Sequence, residues 1–448
     1  MSTQNNLKVI VGLGVTGLSC ARYFSRKKIP FAVLDTRENP PLLDEFQKEF
    51  SHVQISLGSW DQSFLSQASE IILSPGISIH EPAIQTCIAQ KIPVIGDIEL
   101  FAREAKAPIC AITASNGKST VTSLVGYMAK CANLNTRVGG NLGTAALDLL
   151  QDSEPDLYVI ELSSFQLETT YSLSVTAATI LNISPDHMDR YDSFGDYIAA
   201  KQRIYLNAEY MICNRDDINT LPVKSFRGNN IITFGLNAPK SNEFGLITSN
   251  SNIYLALGDQ CLCSVNEITL KGSHNWSNAL ASLALGKVLN FPMSAMLQAL
   301  QTFHGLPHRC EWIAEKQGVN YYNDSKGTNV GASLASLNGL AAGISGKVIL
   351  IAGGQGKGAD FSLLQKPVSE NTRAVILIGQ DAPLIEKALN GSTTILHAND
   401  MLHAVKLADE TAQSGDVVLL SPACASFDMF KNFEHRGKVF VEAVKEIL

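Results

Sequence analysis

Residues 111–120 read AITASNGKST. The run ends Asn116-Gly117-Lys118-Ser119-Thr120, like a phosphate-binding loop, but Ile112 stands where such a loop usually has its first glycine. The flanks decide the reading. The apolar run Ile109–Thr113 has the length of a buried strand, and Ser119–Met128 has helical spacing. A strand, a small-residue turn and a helix aim backbone amides and a helix N-terminus at an anion. Lys118 is then placed to reach β- and γ-phosphates, and Ser119 to ligate Mg²⁺. A chance NGKS in a surface turn would lack both flanks.

A Mg²⁺-dependent phosphate site also needs acids. Asp156–Glu161 reads as a strand ending in a carboxylate, as a metal-binding acid requires; the plain alternative is a surface Glu after a core strand. Ile180–Asp189 is a second strand end, loaded with Asp186, His187 and Asp189. His187 can ligate a cation when neutral, although a lone His is more often structural. Asn323–Asn329 follows another strand, and Gly305-Leu306-Pro307-His308-Arg309 precedes it. Arg309 and Lys326 could clamp phosphates with Asp324 orienting one of them, or they are surface ion pairs of little consequence.

Near the start, Gly12-Leu13-Gly14-Val15-Thr16-Gly17 follows an apolar run and opens a helical pattern, with Asp35 ending the next strand. This spacing suits a dinucleotide, with the acid on a ribose hydroxyl. It also suits another nucleotide, or tight packing with no ligand.

Strand and helix signals alternate along most of the 448 residues, which predicts parallel sheets. Boundaries near 96 and 305 give domains over 1–96, 97–305 and 306–448. Ile231–Phe234, Ile253–Leu257 and Cys261–Val265, separated by Asn, Ser and Gly, read as a small extra group of strands within the second. The predicted fold is α/β: Rossmann-like N- and C-terminal domains flank a central P-loop ATPase-like domain. A net charge of −7 without a long basic run argues against nucleic-acid binding. Nine scattered cysteines with no CxxC predict neither a disulfide framework nor a zinc ribbon. No apolar run approaches the ~20 residues of a membrane span, and MSTQNNLK has no signal-peptide core. A cytoplasmic protein without membrane insertion is expected.

Taken in order, TASNGKST (113–120), GGNLG (139–143), ELSSFQLE (161–168), DHMDRY (186–191), GSHNWSNALA (272–281), GLPHR (305–309), NDSKGTN (323–329), GGQGKGADF (353–361) and SPACASFDMFKNFEHRG (421–437) resemble the muramyl (Mur) ligases of bacterial cell-wall synthesis. The resemblance runs from the glycine turn to the C-terminus. DTR (35–37), ELSSFQLE and SPACASFDMFKNF place it within the D-glutamate-adding branch.

The resemblance implies an ADP-forming acid–amino-acid ligase, a monomer, using ATP and Mg²⁺ to join D-glutamate to UDP-N-acetylmuramoyl-L-alanine. It turns the first domain from a dinucleotide site into the UDP-substrate site, with Val15, Thr16, Asp35, Thr36, Arg37, Ser74 and Asn141 as contacts. It gives ATP to Ser115, Asn116, Gly117, Lys118, Ser119, Thr120, Asn275, Asn278, Arg309 and Asp324. It gives D-glutamate to Lys326, Thr328, Lys357, Ser426 and Phe433. Lys118, Glu161, His187 and Lys201 are the implied catalytic residues, and Ser119, Glu161, His187 and Lys201 the implied metal set. A lysine ammonium cannot ligate a cation; the resemblance implies that Lys201 is carbamylated into an anion. Two positions depart from the family's pattern: Ala114 and Gly327 stand where many relatives have Gly and Ala.

Overall fold

The computed structural model describes residues 6–223, 230–270 and 272–448. They form two compact units. The first comprises the described residues up to Ile183, with Arg190–Phe234 and Ala281–Met296; the second comprises Ser184–Asp189, Gly235–Leu280 and Leu297–Leu448.

The first unit begins with β1 (Lys8–Val11), β2 (Phe31–Asp35), β3 (Ile55–Leu57), β4 (Glu70–Leu73) and β5 (Val94–Ile95). They pair in parallel in the order β3-β2-β1-β4-β5. This is the doubly wound order, with its crevice where β1 and β4 diverge. The central residues of β1, β2 and β4 are apolar because helices cover both faces. The turn from β1 into helix Val15–Lys27 demands its glycines: a Cβ on Gly17 would lie 2.0 Å from the Gly12 carbonyl oxygen.

The second series contains β6 (Ile109–Thr113), β7 (Thr136–Gly140), β8 (Leu157–Glu161), β9 (Val175–Ile180), β10 (Ala208–Asn214) and β11 (Asn230–Phe234). Within this unit they run β11-β10-β9-β6-β8-β7, every pair parallel. Two details were not expected. Ile231–Phe234, read with the extra group, also pairs in parallel with β10. β9 stops at Ile180, at the start of the strand end read over Ile180–Asp189, because Leu181 and Ile183 turn to Asn214 and Asp217 and the Asn182 side chain turns to Asn116. Buried side chains from both sides of residue 96 pack together. Leu18 and Phe24 share a buried cluster with Phe101 and Tyr158, whose rings meet edge-on at 5.1 Å.

That shared core holds a carboxylate. Asp97 is 2 % exposed at the start of helix Asp97–Glu104. Its Oδ2 accepts a hydrogen bond from Gln166 Nε2 at 3.3 Å, and its Oδ1 has no partner among the described residues. Burial pushes its pKa up to about 6. The folded value lies above the unfolded one, so Asp97 is harmless below about pH 4 and costs stability as pH rises through about 6. Asp97→Asn is therefore expected to raise the melting temperature at pH 7.5 by a few degrees and to leave it unchanged at pH 4. Equal shifts at both pH values in thermal denaturation would refute the buried-charge account.

In the second unit, β12 (Phe244–Ser249), β13 (Asn252–Leu257) and β14 (Gln260–Ser264) form an antiparallel meander; β13 and β14 were expected in the extra group, and β12 was not. The last sheet has β15 (Glu311–Lys316), β16 (Val319–Asn323), β17 (Val348–Gly353), β18 (Thr372–Ile378), β19 (Thr394–His397) and β20 (Val417–Leu420) in the order β15-β16-β20-β17-β18-β19. Only β15 runs antiparallel. β17, β18, β19 and β20 repeat the doubly wound order, so the loops after β16, β17 and β20 open at one sheet edge.

Candidate functional site

In the first unit, all seven residues assigned to the UDP substrate line one cavity of about 640 Å³: Val15, Thr16, Asp35, Thr36, Arg37, Ser74 and Asn141. The glycine turn supplies the floor and the loop after β4 a wall, with Ser74 Oγ donating to the Gly12 carbonyl at 2.9 Å. Asp35 is 2 % exposed, and its oxygens are already used. Oδ2 accepts from the Leu13 amide at 2.7 Å and from Arg37 Nη2 at 2.6 Å; Oδ1 accepts from the Arg37 amide and Nε, both at 2.9 Å. Burial alone would raise its pKa, but the bonds from Arg37 and Leu13 hold it below the usual carboxylate range. A carboxylate offers about four lone-pair sites. Asp35 thus has none left for the ribose hydroxyls of a dinucleotide, and instead aims the half-exposed Arg37 along the cavity.

The phosphate loop follows β6. The Asn116 amide donates to Asn182 Oδ1, and Asn182 Nδ2 returns a bond to the Asn116 carbonyl, each at 2.9 Å. Ser115 Oγ lies 3.0 Å from the Tyr197 hydroxyl. Gly117 adopts φ 84°, a left-handed turn that glycine makes without strain. Helix Lys118–Cys131 then starts with Ser119 and Thr120 buried in its first turn. Lys118 Nζ donates to the carbonyls of Ala114 at 2.8 Å and Ser115 at 3.1 Å. Lys201, 2 % exposed on helix Phe194–Gln202, also donates to the Ala114 carbonyl, at 2.8 Å, and stands 4.7 Å over the Tyr197 ring. Two ammonium groups thus converge on one carbonyl. The bond to Ala114 needs only its backbone, so the Ala in place of Gly leaves it possible.

Glu161 ends β8 in register with Ile112 of β6. Its Oε1 accepts from Asn141 Nδ2 at 2.8 Å, whereas its buried Oε2 has no hydrogen-bond partner among the described residues. A buried carboxylate oxygen without a donor is costly. A bound cation would satisfy it, and the hydroxyl of Ser119 is the oxygen donor type that Mg²⁺ takes. The described residues contain no cluster of three or more His, Cys, Asp or Glu side chains that could hold a metal. The fit rests on Glu161 with a hydroxyl, not on an acid cluster.

The other assigned residues lie in the second unit. His187 adopts φ 57° within Ser184–Asp189, and its amide donates to Asp186 Oδ1 at 3.0 Å. Asp186 Oδ2 accepts from Asn329 Nδ2 at 3.2 Å, so this segment is tied to the loop after β16. Asn275 and Asn278, on helix Ser273–Val288, are buried and joined side chain to side chain at 3.1 Å. Asp324 accepts from the hydroxyls of Ser336 at 2.6 Å and Ser421 at 2.7 Å and from the Cys310 amide at 3.1 Å. Burial pushes its pKa up to about 6, against the pull of those bonds and of Arg309. Lys326 stands 4.0 Å over the Phe433 ring, and Thr328 follows in the same loop. Ser426 is buried after β20, and Lys357 is exposed after β17 at φ 52°.

Four structural partners escaped the sequence reading. Gln166 lines the same cavity as the seven residues above and completes a capping box with Ser163, which Ser163-x-x-Gln166 could have signalled. Asn182 and Tyr197 support the phosphate loop. Arg436, 1 % exposed, donates to Ser325 Oγ at 3.0 Å, the Ser325 carbonyl at 2.8 Å and the Cys424 carbonyl at 3.1 Å. Burial pushes its pKa down to about 10. Ser325 Oγ in turn donates to the Phe433 carbonyl at 2.8 Å, which sets the ring beside Lys326.

Residues 6–96 match the model for the Mur ligase MurD-like N-terminal domain, 112–286 the Mur ligase middle domain, and 308–424 the Mur ligase glutamate ligase domain. The UDP-N-acetylmuramoylalanine–D-glutamate ligase of Pseudomonas aeruginosa is 52 % identical over 444 residues, covering 99 % of each chain. That of Legionella pneumophila is 49 % identical over the same share of each. Among solved structures, a pseudomurein peptide ligase type C from Methanothermus fervidus superposes with a TM-score of 0.62 at 20 % identity, covering 99 % of this chain and 100 % of its own. The UDP-N-acetylmuramate–alanine ligase of Thermotoga maritima gives 0.61 at 17 %, covering 98 % and 99 %. At those identities the likeness speaks for the fold alone.

Proposed function

The chain belongs to the Mur ligase family, and we propose that it is an ATP-dependent, ADP-forming ligase that adds D-glutamate to UDP-N-acetylmuramoyl-L-alanine in peptidoglycan synthesis. The near-full-length identity to ligases of that name carries the reading. The cavity that gathers all seven expected substrate residues supports it. The proposal keeps the sequence's three domains, and its ATP, D-glutamate and metal assignments, including His187 and a carbamylated Lys201. It also keeps action as a cytoplasmic monomer. No helix among the described residues is long and apolar enough to cross a membrane.

The reaction has two steps. The L-alanyl carboxylate takes the γ-phosphoryl group of ATP, giving an acyl phosphate and ADP. The D-glutamate amine then attacks the acyl carbon, and phosphate leaves. Lys118 and the amides of the loop it opens hold the phosphates and neutralise charge in transit. Ser119 and Glu161 would hold Mg²⁺, which when bound supplies further charge neutralisation. Arg37 and the glycine turn hold the UDP group, so that its binding energy positions a carboxylate far along the substrate. Lys326 and Ser426 offer a cation and a hydroxyl to the carboxylates of D-glutamate.

Coupled ADP release is expected only when UDP-N-acetylmuramoyl-L-alanine and D-glutamate are both present. L-glutamate, L-alanine or diaminopimelate in its place should give background rates. ADP release independent of the UDP substrate, or a faster rate with another amino acid, would overturn the reading.

A further inference from the structure

One cation beside the substrate cavity has no part in the chemistry above. Arg190 is 14 % exposed and lies just past Ser184–Asp189, where the chain re-enters the first unit. Its Nη1 donates to the Pro75 carbonyl at 2.8 Å, and its Nη2 to the Ile77 carbonyl at 3.1 Å. Nη2 also pairs with Glu168 Oε2 at 3.3 Å, and the guanidinium lies 4.1 Å over the Phe165 ring. Pro75, Gly76 and Ile77 form a wall of the cavity, and Gln166, beside Phe165, lines it too. The wall is held from within by Ser74 on the glycine turn and by the Ile77 amide on the Ser74 carbonyl at 3.0 Å. Arg190 holds it from outside.

We propose that Arg190 is a positioning residue for the UDP-substrate cavity: it braces the Pro75–Ile77 wall against the helix Ser164–Glu168. This rests on the cavity being the UDP-substrate site. The guanidinium geometry is the reason for Arg. A planar fork donates to two carbonyls and a carboxylate while its flat face lies over a ring; a lysine ammonium, a single point of charge, cannot. Without the brace, the loop must be ordered by the ligand itself, and affinity falls by that cost.

The test compares calorimetric binding of UDP-N-acetylmuramoyl-L-alanine and ADP-release kinetics in wild type, Arg190→Ala, Arg190→Lys and Glu168→Gln. Both Arg190 variants are expected to weaken UDP-substrate binding roughly tenfold, about 1.4 kcal/mol. The KM for ATP and the kcat at saturating substrate should hold. Glu168→Gln keeps both carbonyl bonds and is expected to weaken binding less, about two- to threefold; it keeps the proposal testable if Arg190→Ala does not fold. Unchanged affinity in the Arg190 variants overturns the brace. So does full rescue by lysine, which would show that charge alone suffices, and so does a fall in kcat at unchanged affinity. A wild type that binds no UDP substrate fails at the earlier step and overturns the cavity's assignment instead.

Discussion

Lys118→Ala is expected to lower ADP release on the order of 10³-fold or more, with UDP-substrate binding unchanged. The magnitude follows from its place in the site. Removing one preorganised donor from developing charge costs about 10²–10³-fold, and a cation on a transferring phosphoryl group more. Its ammonium rests on the carbonyls of Ala114 and Ser115 at the mouth of the loop, within side-chain reach of an anion seated there. Alanine is a good first residue for helix Lys118–Cys131, so the loop and helix should survive. The pair of measurements separates chemistry from folding. Calorimetry with the UDP substrate reports the cavity, and coupled turnover reports the phosphate loop. Turnover near the wild-type rate would remove Lys118 from the mechanism. Loss of both signals would mean a folding defect. Lys118→Arg is not a safe control, because a larger planar head does not fit where a point charge does.

The phosphate loop was legible because its flanks are extreme: Ile109–Thr113 is wholly buried, and the helix after it presents a clear apolar face. Most interior strands were legible for the same reason, but β10 was overlooked although most of it is buried. Two other overlooked strands, β3 and β7, carry less apolar signal. β3 is three half-buried residues, and β7 reads Thr-Arg-Val-Gly-Gly, with only one residue buried. β11 was legible as a strand, but its exposed Asn230 and Ile231 gave no sign of its parallel partner β10. The site divides similarly. The seven residues assigned to the UDP substrate by resemblance line one cavity. The glycine turn and Asp35, read without the rest of the chain, pointed to a ribose. Only the fold shows that Leu13 and Arg37 consume that carboxylate. The supporting arginines were illegible, because they work on backbone carbonyls far along the chain: Arg190 reaches 115 positions back to Pro75, and Arg436 reaches 111 back to Ser325. No local pattern encodes a carbonyl acceptor.

Glu161→Gln should separate activity from stability in opposite directions. The change keeps the shape of the side chain and an oxygen able to accept from Asn141, but it removes the charge that would hold Mg²⁺. Metal-borne stabilisation of phosphoryl transfer is worth several kcal/mol, so turnover is expected to fall roughly 10²–10³-fold. In the metal-free protein the result reverses. Oε2 of Glu161 is buried with no donor among the described residues, and a neutral amide is cheaper to bury than a charge in that position. The metal-free variant is therefore expected to melt at or up to about 2 °C above the wild type, a change of up to roughly 1 kcal/mol. Adding Mg²⁺ should then raise the melting temperature of the wild type and leave the variant where it was, since a ligand stabilises only the form that binds it. A variant that melts well below the wild type without metal would show that Glu161 is a structural acid whose lone oxygen is satisfied in solution. A variant that still responds to Mg²⁺ as the wild type does would place the cation elsewhere.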